Sequence, residues 1–152
     1  PPADGGGPHE ILGRQRPQGH RTRDGPRLRE EGAPEPQHVP HAPANISTGK
    51  LLHISGITAR LPDGSVAEPG DMRKQAEQIV QNIKDVCEVA DASLDRMVRL
   101  TIYTTDIDAF QDARDAIQEL YVGRPSATLI EISKLASTEM VLEIEPTIEL
   151  DD

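Results

Sequence analysis

Two stretches of this chain repeat apolar side chains every three or four residues, the period of a helix with one buried face. The first follows Asp71, a residue type that caps helix N-termini. Its apolar positions are Ala76, Ile79, Val80, Ile83, Val86, Cys87 and Ala90. The second follows Asp106 or Asp108 and ends before Gly123. Its apolar positions are Phe110, Ala113, Ile117 and Leu120. The pattern predicts two amphipathic helices that each pack one face on a sheet.

Five other segments are rich in β-branched and apolar residues, which is typical of strands. They cover residues 45–48, 51–58, 97–105, 127–132 and 140–148. Gly49-Lys50 lies between the first two segments and predicts a tight hairpin there. The resulting order is β-β-α-β-α-β-β. This order predicts an α+β fold in which two helices cover one face of a mixed sheet.

Residues 1–44 differ in composition from the rest of the chain. They contain nine of the thirteen prolines, seven of the twelve glycines and no aromatic residue. So little apolar surface cannot offset the conformational entropy lost on folding. We therefore predict a disordered or loosely draped tail over residues 1–44, which could also become ordered against a neighbouring subunit, and one folded domain over residues 45–152.

The charge pattern bears on the choice of partners. The six arginines of residues 1–44 are balanced by six acidic residues, so the net charge of -10 falls on residues 45–152. Because an acidic domain repels phosphate backbones, nucleic acid is not expected as a partner. The histidines are too irregularly spaced to predict a metal site. Without an apolar run of membrane-spanning length, and with Cys87 as the single cysteine, a cytoplasmic protein with no membrane association is expected.

One segment points to a small-molecule site. An apolar strand at residues 51–54 runs into Ser55-Gly56, and a glycine lets a ligand approach the main chain closely. The last predicted strand carries Glu143 and Glu145 inside an apolar run. Together these features predict a ligand site beside a carboxylate. From periodicity alone, Glu143 fits a solvent-facing strand carboxylate at least as well.

Several motifs, taken in order, resemble the Rid (YjgF) family of small enamine and imine deaminases over about residues 45–150. They are Leu-Leu-His-Ile-Ser-Gly at 51–56, the helix with Gln75 and Asn82, Val-Arg-Leu-Thr-Ile-Tyr-Thr-Thr-Asp-Ile at 98–107, Arg-Pro-Ser-Ala-Thr-Leu at 124–129, and Met-Val-Leu-Glu-Ile-Glu at 140–145. The resemblance implies a chorismate-mutase-like fold, a homotrimer, ligand clefts between subunits and a reaction without a cofactor.

The resemblance also assigns roles to individual residues. Ser55 and Gly56 stand at the family's cleft-lining Ser-Gly pair, and Glu143 stands where the family has the carboxylate that holds or activates water. The family's carboxylate-binding arginine, two residues after Pro125, is Ala127 in this chain.

Two arginines are candidates to take over that anchoring role, Arg124 before the strand and Arg114 in the second helix. The alternatives are a solvent-facing residue after the helix end for Arg124 and a surface ion pair for Arg114. Thr128 is a candidate to face the cleft, although a strand threonine is more often present for its β-branched shape.

Two functions remain open at this point. The first is hydrolysis of a small enamine or imine, such as an aminomuconate-like acid, with release of ammonia and with Glu143 as the acid/base group. The second is a non-catalytic metabolite-binding trimer, which the loss of the family arginine favours. The ribonuclease activity sometimes attached to this family fits poorly with an acidic domain.

Overall fold

A computed structural model describes residues 41–42 and 44–151 of the chain. The predicted tail lies almost wholly outside these residues, so its disorder stays a prediction. Residues at the boundary between the tail and the domain contact the start of β3 and the segment before it. The Ala42 N–H donates a 3.0 Å hydrogen bond to the Pro125 carbonyl. The Asn45 amide donates to the Val98 carbonyl at 3.1 Å and to Ser126 Oγ at 3.0 Å.

The described strands form one mixed sheet with the order β1-β4-β2-β3. Their bounds are Leu51–His53 for β1, Met97–Thr104 for β2, Ser126–Glu131 for β3 and Leu142–Glu149 for β4. β2 and β3 run parallel, and β4 pairs antiparallel with both β1 and β2. The parallel pair needs a crossover connection, which the second helical segment supplies.

Both predicted helices are present and begin where their capping residues predict. α1 spans Met72–Val89 and α2 spans Ile107–Ala113, and α2 continues into a 3₁₀ helix over Arg114–Tyr121. A further 3₁₀ turn, Leu94–Arg96, precedes β2. The Asp71 carboxylate accepts from the Lys74 N–H and the Asp106 carboxylate from the Ala109 N–H, each at 2.9 Å. These bonds satisfy N–H groups that have no partner within the helix.

The core lies between the helices and one face of the sheet. On β4 the side chains alternate between buried and less buried positions, and the same alternation follows β2 from Leu100 onward. The fully buried members with the largest side chains include Ile79, Ile83, Leu100, Ile102, Phe110, Ile117, Leu142, Ile144 and Ile148. Both predicted helical stripes therefore face this core, and the α+β fold class with two helices over a mixed sheet is confirmed.

The predicted strand at residues 45–48 is wrong, and no hairpin forms at Gly49-Lys50. The N–H groups of Thr48 and Gly49 instead donate to Glu149 Oε1, at 2.8 and 2.7 Å. The carboxylate side chain thus takes donors that a strand partner would have used. β1 pairs with β4, the last strand of the chain. The predicted strand at 51–58 is also shorter, because regular pairing ends at His53.

The other face of the sheet is polar, and we call it the open face. Register pairs on it join Tyr103 with Glu143, Thr101 with Glu145, and Arg99 with Thr147. Its members on β2, β3 and β4 are Arg99, Thr101, Tyr103, Ser126, Thr128, Glu143, Glu145, Thr147 and one exposed apolar residue, Ile130. An antiparallel sheet can keep one such face in water without an apolar partner.

A single buried amide fixes the loop before β4 to α1. The Gln75 side chain is fully buried. Its Nε2 donates to the carbonyls of Glu139 at 2.7 Å and Glu68 at 3.2 Å, and its Oε1 accepts from the Val141 N–H at 3.0 Å. Gln75 thereby supplies the acceptor for the Val141 N–H and a second donor to two carbonyls, which also accept from the Gly70 and Asp71 N–H groups.

Substituting Gln75→Ala removes these three hydrogen bonds and leaves a cavity. We expect the free energy of unfolding to fall by about 3 kcal/mol in a denaturant titration. Gln81→Ala is the matched control on the same helix, because Gln81 is exposed and bonds only to the Asp85 carboxylate. It should cost under about 0.5 kcal/mol. Equal losses would show that the buried amide does not stabilise the fold.

The Glu149 carboxylate should make stability depend on pH. The hydrogen bond from the Thr48 N–H is the main cause that lowers the pKa of Glu149, with the Gly49 N–H and the Arg96 charge adding to it. The resulting stability is fully present above the unfolded pKa of about 4.3 and is lost as pH falls through the lower folded value. Glu149→Gln should therefore cost about 1–2 kcal/mol at pH 7 and progressively less below pH 4.

The same titration on Glu88→Gln, an exposed position on α1, serves as the control. A cost for Glu149→Gln that does not change between pH 7 and pH 3 would contradict the proposed stabilisation of the ionised carboxylate.

Candidate functional site

The main chain bulges at Ser55-Gly56. Before the bulge, the Ile54 N–H donates to the Pro146 carbonyl at 3.1 Å. After it, Ile57 and Ile144 exchange two hydrogen bonds of 2.8 and 2.9 Å. The chain advances three residues from Ile54 to Ile57, while β4 advances only two between Pro146 and Ile144. One extra residue is therefore inserted opposite β4. Such bulges interrupt the ladder and redirect the strand.

The bulge leaves main-chain groups available to a ligand. Neither the N–H nor the carbonyl of Ser55 or Gly56 has a main-chain hydrogen-bond partner among the described residues, and both residues are exposed. Pro146 contributes to this gap, because it accepts from Ile54 but has no N–H to donate in return. Exposed strand N–H groups can bind a polar ligand atom directly.

Glu143 lies directly over Gly56. A Cβ built on Gly56 would lie 1.8 Å from Glu143 Oε1 and 2.7 Å from its Cδ. Gly56 does not have the positive φ that favours glycine elsewhere, as at Gly64 and Gly70. The glycine is therefore required by the space that the carboxylate occupies. The structure brings together the Ser-Gly segment and the acid that the sequence placed about ninety residues apart.

The Glu143 carboxylate is half-buried and has no hydrogen bond or ion pair with another described residue. Tyr103 is its register partner on β2. The Tyr103 hydroxyl instead donates to Glu145 Oε2 at 3.4 Å. The oxygens of Glu143 are thus free to accept from water or a substrate next to the unpaired main chain of the bulge.

Arg99 is a further residue near the site, and the sequence patterns did not predict it. Its Nη2 donates a 2.9 Å hydrogen bond to Thr128 Oγ1, so both side chains stand on the open face. The Thr128 hydroxyl is directed to the face that carries Glu143, and its role in substrate binding stays a prediction. The signal for Arg99 was present in the alternation of β2, which places Arg99, Thr101 and Tyr103 on one face.

The structure does not bring Arg124 or Arg114 to Glu143 within one protomer. Arg124 is exposed before β3, at the end of the sheet opposite Glu143. Arg114 lies in the helical layer, where Nη1 donates to Gln111 Oε1 at 3.4 Å. Ala127 points toward the helices and packs against the core. Substrate binding by either arginine stays a prediction that requires a second subunit.

Other surface features do not add to this site. A depression of about 460 Å³ lies elsewhere, between the start of α1 and the preceding hairpin, and includes Leu61, Val66 and Gln78 in its lining. Over residues 41–42 and 44–151, no group of three or more His, Cys, Asp or Glu side chains is arranged to hold a metal ion. None of the helices described there has the length and apolar content needed to cross a bilayer.

Comparison with known proteins agrees with this fold. A family model described as endoribonuclease L-PSP matches residues 33–149. A RutC family protein from Pyrococcus horikoshii is 30% identical over 116 residues, which cover 76% of this chain and 90% of the relative.

Solved structures give the same result. A Rid family protein of unknown function from Yersinia pestis has a TM-score of 0.68 at 28% identity, covering 77% of this chain and 95% of that one. A putative endoribonuclease from Thermotoga maritima has a TM-score of 0.60 at 25% identity, covering 75% and 89%. The chain therefore belongs to the Rid family, also called YjgF or RutC.

Substituting Gly56→Ala should displace the Glu143 side chain at little cost in stability. The nearest atoms belong to the end of a flexible side chain, so we expect a loss under about 1 kcal/mol in denaturant unfolding. Gly123→Ala should cost more, because its Cβ would lie 2.5 Å from the main-chain oxygen of Asp95.

A double-mutant cycle tests the contact itself. In a Glu143→Ala background, Gly56→Ala should lose most of its remaining cost, because the obstructing carboxylate is gone. Additive effects of the two substitutions would show that the two residues are not in contact.

Proposed function

We propose that this protein hydrolyses a small enamine or imine and releases ammonia at the Ser55-Gly56 bulge. The observation that carries the proposal is the Glu143 carboxylate, which lies against Gly56; neither this carboxylate nor the main chain of Gly56 has a hydrogen-bond partner within residues 41–42 and 44–151. Membership of the Rid family supports a role in small-molecule metabolism. An aminomuconate-like acid is the substrate type that we propose.

The chemistry follows from a carboxylate beside hydrogen-bond donors. An enamine is first protonated on carbon to give the iminium form. Water then adds its oxygen to the iminium carbon while Glu143 accepts a proton from that water. Glu143 returns the proton to nitrogen, the C–N bond breaks as Glu143 takes the remaining hydroxyl proton, and a carbonyl compound and ammonia leave. The N–H groups of Ser55 and Gly56 are suited to orient the substrate or the water.

We further propose that the active form is a homotrimer with the site at a subunit interface. Glu143 and the bulge form only one wall in a single protomer, because the open face beside them is exposed. A neighbouring subunit would supply the second wall and exclude bulk water, which strengthens hydrogen bonds inside the site. It could also bring Arg124 or Arg114 to the bound substrate.

A non-catalytic binding function is the second candidate, and Ala127 favours it. An alanine at that position cannot hold a substrate carboxylate as a guanidinium would. Cleavage of RNA, suggested by the endoribonuclease names of the family model and of the Thermotoga maritima protein, is disfavoured by the net charge of -10. The two preferred candidates differ in one measurable respect, the dependence of turnover on Glu143.

Glu143→Gln should reduce ammonia release from a freshly generated imine by at least about 100-fold, the usual contribution of a positioned acid/base group. Glutamine keeps the shape of the side chain over Gly56 but cannot accept and return the proton. Glu145→Gln is the matched control, since Glu145 lies two residues along the same face of β4. It should keep more than about half of the native rate, after subtraction of spontaneous hydrolysis.

Equal rates for the native protein and Glu143→Gln would support the binding function instead. Sedimentation equilibrium on the native protein and both variants tests the assembly at the same time. A monomer with full activity would contradict a site shared between subunits.

A further inference from the structure

Arg99 occupies an unusual electrostatic position. Among the described strands it is the only arginine or lysine, and it is exposed on the same face as Glu143 and Glu145. It forms no ion pair with any described residue, although the face carries acidic side chains. The other described arginines with side-chain contacts are directed elsewhere, such as Arg73 to Asp115 and Arg96 to Asp151. Arg99 therefore presents an uncompensated guanidinium to the open face.

Its orientation is fixed by a neutral partner. The hydrogen bond from Nη2 to Thr128 Oγ1 turns the side chain toward β3, level with Thr101. This bond uses one of the five guanidinium N–H donors and none of the positive charge. The remaining donors can form the bidentate fork that matches a carboxylate. Thr128 thus acts as a positioning residue for Arg99.

The separation between the Arg99 guanidinium and the Glu143 carboxylate limits the length of the ligand. The guanidinium lies level with Thr101, and Glu143 is the register partner of Tyr103. Thr101 and Tyr103 are two residues apart on β2, which is about 7 Å along a strand. Crossing from β2 to β4 adds about 5 Å. In a 2-imino acid the carbon of the adjacent carboxylate is bonded directly to the imine carbon, only about 1.5 Å away. That carboxylate cannot reach Arg99 while the C=N bond is at Glu143.

We propose that Arg99 binds a carboxylate at the far end of the substrate, about four bonds from the C=N carbon. This inference rests on the proposed function and narrows it to imines or enamines of dicarboxylic acids with about six carbons. Such a chain spans about 5 Å, and a hydrogen bond at each end extends the reach to about 10 Å. Arg99 is then a specificity-determining residue for the far carboxylate, which is a different group from the one that the arginine missing at Ala127 would hold.

A matched pair of substrates isolates the far carboxylate. Amino-acid oxidase generates 2-iminoadipate from 2-aminoadipate and 2-iminohexanoate from norleucine, and the two imines differ only in the terminal carboxylate. Ammonia release is measured for the native protein, Arg99→Met, Arg99→Lys and Arg60→Met. Arg60 is the control because it is also exposed and donates one hydrogen bond, to the Gly64 carbonyl.

We expect Arg99→Met to raise KM for 2-iminoadipate by about 10- to 100-fold, the usual effect of losing charged hydrogen bonds, with kcat little changed. KM for 2-iminohexanoate should change less than about twofold. Arg99→Lys should recover part of the loss, because it keeps the charge without the fork. An unchanged KM for 2-iminoadipate would overturn the proposal. Equal losses on both substrates, or a change in oligomeric state, would also overturn it by indicating a structural role.

A binding experiment separates this proposal from the proposed reaction. Adipate has both carboxylates but no C=N bond, and its affinity is measured by calorimetry for the same proteins. Weaker adipate binding in Arg99→Met, with no ammonia release by the native protein, would support the anchor and refute the deaminase. The opposite outcome is turnover that depends on Glu143, with the same adipate affinity in the native protein and in Arg99→Met. It would support the deaminase reaction and refute the role of Arg99 as the anchor.

Discussion

The close approach of Glu143 to residue 56 is the contact on which the polar site of this protein depends. Only a residue without Cβ can lie under that carboxylate, because a methyl group would occupy the place of its oxygen. The contact in turn requires the one-residue bulge between Ile54 and Ile57, which moves Gly56 beside β4. Pro146 keeps the ladder open at the same place, since it cannot return a hydrogen bond. The bulge and the contact thus leave the Glu143 carboxylate and the Ser55 and Gly56 N–H groups side by side without partners among the described residues, and Pro146 leaves the Ile54 carbonyl without a donor.

The two faces of the sheet have separate roles. The face toward α1 and α2 supplies the apolar core, and the buried Gln75 amide ties the loop before β4 to α1. The open face carries hydroxyls, carboxylates and Arg99 on the same strands. Because neighbouring side chains on a strand point to opposite faces, the core residues of β2 and β4 alternate in sequence with residues of the open face. Glu143 and Arg99 therefore stand on strands, which hold functional groups more precisely than loops do, while Ser55 and Gly56 lie in the bulge that follows β1.

Local patterns carried much of the fold prediction. The helix boundaries followed from apolar spacing and from capping by Asp71 and Asp106, because both effects act within a few residues. The hairpin at Gly49-Lys50 was wrong because Glu149, about a hundred residues away, takes the N–H groups of Thr48 and Gly49. The Ser55-Gly56 and Glu143 pairing was predicted through family resemblance. Arg99 was not predicted, because its place on the same face as Thr128 and Glu143 is known only once β3 and β4 are paired with β2.

The sequence by itself determined the class of fold, the two helices, the acidic character of the domain and the family of the chain. These properties depend on periodicity, composition and ordered motifs, which are local or additive along the chain. Only the tertiary structure decided which strands are neighbours, where the chain bulges after β1, and which arginine shares a face with Glu143. Those properties arise from register and strand order, and both depend on contacts between residues far apart in sequence.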